Sequence, residues 1–351
     1  MSKENEYEEA MDDLKESLRG SLSKTRELRE LGGYFTLFNM TDEAEFLFKK
    51  ASEIEPDAPE PKFASASLLY SQGESDAAEE RLKQITADFP DFAPAFSLMG
   101  ALLNEKGDSE AALPFLEKAA ALEPENPDTL FNLGNSYDDN NQPDKALGCY
   151  NKVLELDPDH AQSYNSIGLI HSDDENWASA ISAFGKALAI DPSYSNAHLN
   201  LAAAYLNNPN ASVVDAEDEY KLAIKFDPYN ADAHLGLGEI HYNDENYRKA
   251  LECFEEAVHN DPSLVAAHLN LGNTYYVLGD LEEAATSFKN AVSADKELAE
   301  PRFWTAKIRQ RQGKELEAAI NYKLYLTLDP EGEWAREAEE ALNTLKTDWP
   351  V

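Results

Sequence analysis

Three histidines, His198, His234 and His268, stand at steps of 36 and 34 residues along the chain. Imidazole is the commonest metal ligand, so a regular row of it first suggests a metal site. Metal ligands must lie about 2 Å from one ion. Equivalent residues on neighbouring packed helices are roughly 8–10 Å apart. The three histidines therefore form a row, not a shared site, and read as bulky packing residues. His171 and His241 are read the same way. The two cysteines, Cys149 and Cys253, are 104 residues apart. Two thiols alone cannot complete a structural zinc centre, and this separation puts them beyond the ~7 Å reach of a disulfide. They are read as reduced thiols of a cytoplasmic protein. Adjacent carboxylates such as Asp138-Asp139 and Asp173-Asp174 suit acid–base work, but among 67 acidic residues such pairs arise by chance. No G-x-x-x-x-G-K-[ST] loop and no H-E-x-x-H pair occurs, and Gly236-Leu237-Gly238 lies inside a helical pattern. The expectation is a chain with no catalytic residue, no metal and no cofactor.

The elements that carry these residues are set by a period. Pro56, Pro90, Pro124, Pro158 and Pro192 are each 34 residues apart; Pro228 follows after 36 and Pro262 after 34. Lys296 holds the next slot and Pro330 the one after. A fixed step of this length signals a stacked array of one small unit rather than one globular core. Within a unit the apolar residues recur at helical steps. From Pro127 they are Leu130, Leu133, Gly134 and Tyr137, then Ala146, Tyr150, Val153 and Pro158. From Val265 they are His268, Leu271, Gly272 and Tyr275, then Ala284, Phe288, Ala291 and Lys296. Each unit is predicted to be a helix, a short turn and a second helix. Small residues such as Gly134 and Ala146 let the two axes approach, an aromatic fills the wedge beside them, and proline ends the second helix.

This pattern resembles the tetratricopeptide repeat family, over residues 25 to 332. Nine units are predicted: 25–58, 59–92, 93–126, 127–160, 161–194, 195–230, 231–264, 265–298 and 299–332. The second unit has Ser65-Ala66 in place of Leu-Gly, and the ninth has Thr305-Ala306. The sixth has two extra residues near Asn207-Asn208-Pro209-Asn210. The resemblance implies an all-α solenoid, a right-handed superhelix of antiparallel helix pairs. Residues 1–24, with Tyr7, Met11, Leu14 and Leu18 at helical steps, are expected to form an acidic N-terminal capping helix. Residues 333–351, with Trp334, Ala338, Ala341 and Leu345, are expected to form the C-terminal cap and tail; for both ends a partner-binding or self-association helix is the alternative.

The resemblance also implies where a partner would sit. The first helix of each unit lines the inner wall, which here brings in Asn132, Asn135, Asn200, Asn270 and Asn273. Asn132, Asn200 and Asn270 share one phase, interrupted by Ser166 and Gly236. An asparagine amide both donates and accepts, so such a row suits the backbone of an extended peptide. Phe131, Leu199, Leu235 and Leu269 share a second phase, Tyr242 and Tyr276 a third, and Asp138, Asp139, Asp173, Asp232 and Glu239 add negative charge. The family's clamp for a C-terminal carboxylate uses Lys and Arg on these faces, and the middle repeats lack them. A basic island, Arg302, Phe303, Trp304, Lys307 and Arg311, is a second candidate patch, for an acidic tail or for head-to-tail contact with another copy.

Charge narrows the partner. The formal net charge is −37, which disfavours nucleic acid and anionic membranes and suits either solubility in a salty cytoplasm or a groove that attracts basic partners. No apolar run approaches the ~20 residues of a membrane span, and the first six residues carry no apolar leader. The expected function is a protein-binding scaffold or adaptor whose groove takes a segment with apolar and basic residues. An assembly factor or stable subunit of a complex, or a regulatory arm of a separate enzyme, are the alternatives.

Overall fold

The computed structural model describes residues 25–345. Within them the secondary structure is entirely helical. The helices are α1 Thr25–Leu37, α2 Thr41–Ile54, α3 Pro59–Ser71, α4 Ser75–Asp88, α5 Ala93–Glu105, α6 Ser109–Leu122, α7 Pro127–Asp139, α8 Pro143–Leu156, α9 Ala161–Asp173 and α10 Trp177–Ile190. They continue with α11 Ser195–Asn207, α12 Val213–Phe226, α13 Ala231–Asn243, α14 Tyr247–Asn260, α15 Val265–Leu278, α16 Leu281–Ala294, α17 Glu300–Arg311, α18 Glu315–Leu328 and α19 Ala335–Thr344. They fall into two compact units, Met1–Ser163 and Tyr164–Val351. In each unit odd-numbered first helices pair with the even-numbered second helices that follow them. The capping helix expected over residues 1–24 lies outside the described residues.

Side chains and backbone stops set the helix ends. Asn126 accepts from Thr129 N at 3.1 Å at the start of α7, with Pro127 in the first turn. Asn230 accepts from Ala233 N at 2.9 Å at the start of α13. These side chains satisfy donors that the first turn leaves open. At the ends of second helices an aspartate precedes the proline. Its carboxylate accepts the backbone N–H two residues on: Asp157 from Asp159 (3.1 Å), Asp191 from Ser193 (2.9 Å), Asp227 from Tyr229 (3.1 Å) and Asp261 from Ser263 (2.8 Å). Aspartate and proline thus fix the junction together, one by a side-chain turn and the other by its ring.

The histidine row completes these junctions. The Nε2 of His198 donates to Pro192 O at 3.1 Å, that of His234 to Pro228 O at 3.1 Å, and that of His268 to Pro262 O at 3.0 Å. Each imidazole ties the first helix of a repeat back to the turn before it. His198 also places Nδ1 2.5 Å from Glu219 Oε2 and stacks on Phe226.

Within a hairpin the core is a small residue under a large one. A Cβ at Gly32, Gly134, Gly168 or Gly272 would lie 2.4–2.6 Å from the ring of Phe48, Tyr150, Phe184 or Phe288 respectively. The large side chain thus rests directly on glycine backbone. Phe184, Phe254 and Phe288 are fully buried, and burying each is worth about 1.5–3 kcal/mol. Turns inside hairpins use the left-handed region: Gly73, Gly107, Gly279 and Gly313, but also Asn39, Asn141, Glu175 and Glu245. The extra residues of the sixth repeat lie in the longer tip between α11 and α12. There Ser212 accepts from Val214 N at 3.2 Å and starts the second helix.

At the C-terminal end of the second unit, Ala335 and Ala338 of α19 are buried against Phe303, Ala306, Tyr322 and Tyr325. Trp334 stacks on Phe303 with centroids 5.2 Å apart, and its backbone N–H donates to Tyr325 Oη at 3.0 Å.

Candidate protein-binding site

The candidate wall consists of first helices, and in both units polar side chains stitch neighbouring first helices together. In the first unit Ser97 and Thr129 share a hydroxyl–hydroxyl bond of 2.8 Å between α5 and α7. Asn104 Nδ2 donates to Asn132 O at 3.0 Å, and Ser136 Oγ donates to Asn104 Oδ1 at 2.6 Å. Tyr70 donates to Glu105 between α3 and α5. In the second unit Asn200 Nδ2 donates to Asn165 Oδ1 at 3.0 Å, and Asn270 Nδ2 donates to Glu239 Oε1 at 2.9 Å. Buried polar groups must be paired, and Asn165 and Asn104 belong to this pattern without standing in the asparagine phase read from the sequence.

The predicted residues fall into distinct classes. Asn200 and Asn270 are half-buried and each has one N–H committed to the neighbouring helix. Asn135 accepts from Tyr150 Oη at 2.8 Å and so braces its own hairpin. The side chains of Asn132 and Asn273 are half-buried with no hydrogen-bond partner among the described residues. Leu199, Leu235 and Leu269 are partly buried and pack on the cores of their repeats. Phe131 packs on Tyr150 and His160, with centroids 5.7 and 4.9 Å away. Tyr242 meets Tyr247 edge-on at 5.3 Å, and Tyr276 meets Trp304 at 5.2 Å. Asp139, Asp173, Asp232 and Glu239 are exposed and Asp138 is half-buried.

Two tyrosines reach back to acids of the preceding second helix: Tyr137 to Glu117 at 2.8 Å and Tyr275 to Glu255 at 2.6 Å. Burial first, and then the bonded carboxylate, push both phenols up to about 12. They stay neutral donors. Burial also pushes the Cys149 thiol up, and the Cys253 thiol up to about 11. The upward shift lowers the thiolate fraction of both, which disfavours a nucleophilic role. Among the described residues no group of His, Cys, Asp and Glu could hold a metal ion, and no helix is long and apolar enough to cross a membrane.

The basic island is partly spent internally. Phe303, expected in a surface patch, is instead fully buried, because Trp334 and Tyr325 close over it. Lys307 lies over the Phe303 and Trp304 rings and pairs with Glu337 of α19 at 2.7 Å. Arg311 sits 5.4 Å over the Tyr276 ring. Arg302 has a buried Nε without an acceptor among the described residues.

Models of the tetratricopeptide repeat match residues 38–102, 93–126 and 127–160, and overlapping stretches from 168 to 333. The chain belongs to the tetratricopeptide repeat family. Among curated proteins none matches this sequence. Among solved structures, this tetratricopeptide repeat chain is similar to a chain of the APC/C hetero-tetramer Cut9-Hcn1, at 17% identity and a TM-score of 0.58. That match covers 86% of this chain but only 59% of the other. YrrB, a TPR protein with an unusual peptide-binding site, is 20% identical over 54% of this chain and 97% of its own, with a TM-score of 0.47. MamA is 25% identical over 47% of this chain and 95% of its own, with a TM-score of 0.42. Tetratricopeptide repeats generally form non-catalytic stacks, and membership supports a protein-interaction scaffold in general.

Proposed function

We propose that the chain is a non-catalytic scaffold that holds an extended or helical segment of a partner protein along the faces of its first helices. One observation carries the reading: half-buried amides keep unused hydrogen-bonding capacity beside apolar side chains. Asn200 and Asn270 each commit one N–H to a neighbouring helix. The other N–H and the oxygen of each amide stay available. A peptide unit offers the complementary acceptor and donor. Leu199, Leu269, Tyr242 and Tyr276 supply partly buried apolar surface nearby, the kind of anchor that carries binding energy. The net charge of −37 and the acids on the first helices favour a partner segment that carries Lys or Arg.

The test is surface plasmon resonance with immobilised chain and peptides that combine leucine with lysine or arginine. Changing Asn132, Asn200 and Asn270 together to Ala removes three amides worth about 0.5–1.5 kcal/mol each. Affinity is expected to fall about tenfold or more, with unchanged helicity by circular dichroism. Raising salt from ~50 to ~500 mM is expected to weaken binding further. Equal affinity of the triple variant overturns the amide contacts, and a flat salt response overturns the charge preference.

A further inference from the structure

A second kind of surface lies on the side of the second helices. In the second unit, α16, α17 and α18 enclose a cleft of about 240 Å³ lined by Lys289, Val292, Arg302, Arg309, Glu317 and Ile320 among others. Glu317 is the carboxylate of this lining, and Arg309 already neutralises it: its Nε lies 3.2 Å from Glu317 Oε2. The other two cations have no such partner. Among the described residues neither Lys289 nor Arg302 makes an ion pair, and the buried Nε of Arg302 has no acceptor. A buried charged donor left unsatisfied is costly, and native structures meet that cost with water, an ion or another group. The chain as a whole has 67 acidic residues against 30 basic ones. A pair of cations that face one cleft and pair with no carboxylate among the described residues runs against that composition.

The pair of cations recurs at the other end of the repeat series, there with Glu45 and Asp88 also in the lining. Lys49, Lys62 and Ser65 stand 240 residues before Lys289, Arg302 and Thr305, a whole number of repeats. In the first unit they line a cleft of about 450 Å³ between α2, α3 and α4, where Lys62 also lies over the Phe89 ring. At junctions between these two the pairing is broken: Glu117 and Leu130 stand at equivalent positions, as do Glu255 and His268. The double cation is therefore not a property of the repeat itself.

We propose that the cleft between α16, α17 and α18 binds a small oxyanion, a carboxylate or phosphate group, between Lys289 and Arg302. Arginine presents planar donors to such oxygens and lysine adds a point charge. The site includes Arg302 of the first helix α17 but none of the amides or apolar anchors proposed for peptide capture, so it stands or falls separately from that reading.

The experiment is isothermal titration calorimetry of the full chain at low ionic strength. A background with Lys49→Gln and Lys62→Gln leaves a single cleft in play. The probes are inorganic phosphate, acetate and a hexaglutamate peptide. One phosphate or one carboxylate ligand per chain is expected, and the tighter probe identifies the source of the oxyanion. Adding Lys289→Gln or Arg302→Gln is expected to weaken that binding at least tenfold. Lys289 is exposed, so its variant keeps the fold, and circular dichroism checks the Arg302 variant. No saturable heat with any probe, or affinity unchanged by Lys289→Gln, overturns the proposal.

Discussion

The ring of Phe184 fills the space that a side chain at Gly168 would need: a Cβ there would lie 2.4 Å from Cε1 of the ring. Both residues are buried, and Phe184 is fully so. The ring cannot withdraw, because Ala180, Leu201 and Ala204 pack around it in the same core.

Gly168→Ala is therefore expected to destabilise the second unit by about 1–3 kcal/mol through overpacking. Gly148 and Gly185 are the controls. They also sit inside helices, but a Cβ at either would meet nothing within 4 Å. Gly148→Ala and Gly185→Ala are expected to stabilise by about 0.5–1 kcal/mol, since alanine restricts the unfolded chain and favours the helix. Urea unfolding followed by circular dichroism reads both signs. A Gly168→Ala chain as stable as the parent would remove the steric account of the repeat's glycine.

Turns inside hairpins offer a second test. Glu175 and Glu245 have φ of 56° and 58°, where Gly73, Gly107, Gly279 and Gly313 stand in other repeats with φ of 71–91°. A Cβ in the left-handed region costs about 1–2 kcal/mol, and glycine gives part of that back as unfolded-state entropy. Glu175→Gly and Glu245→Gly are each expected to raise stability by about 0.5–1 kcal/mol. Thermal unfolding measures the gain, and a lower midpoint for both would show that the carboxylates contribute something the turn geometry does not reveal.

His241 gives the pH test. It is buried on α13, and burial lowers its imidazole below the usual 6.5, outweighing the raising effect of Glu217. The folded state therefore binds fewer protons than the unfolded chain once pH falls below about 6.5. Stability is expected to be retained above that value and to decline as pH drops from about 6.5 towards the lower folded value. His241→Tyr installs the residue found at the equivalent Tyr137 and Tyr275. Its unfolding midpoint is expected to fall less between pH 8 and pH 5 than the parent's. Parallel decline in the two proteins would assign the acid sensitivity to other groups.

The period, the hairpins and the glycine-under-aromatic contact were legible in the sequence because they depend on residue type at fixed spacing. The role of the histidine row was half legible. Its packing was readable, but the bond from Nε2 to a proline carbonyl six residues earlier needs the turn geometry. The asparagine row was legible as a phase, whereas the pairing of Asn200 with Asn165 and of Asn270 with Glu239 was not. Those partners lie 35 and 31 residues away on neighbouring helices, and no local pattern connects them. Phe303 was misplaced for the same reason: its cover, Trp334, is distant in sequence and arrives only when α19 packs down. The double-cation cleft combines Lys289 and Arg302, whose proximity follows from how a second helix and the next first helix meet.

The two surplus residues near Asn208 enlarge a hairpin tip and leave every junction alone. The proline step returns to 34 immediately afterwards, from Pro228 to Pro262. Changes in chain length are thus absorbed where they do not propagate, since repeats hold one another only through their flanks. The lattice of junctions works like a ruler whose marks stay fixed while the material between them grows, and the outer tips are where such a protein can acquire new segments without losing phase.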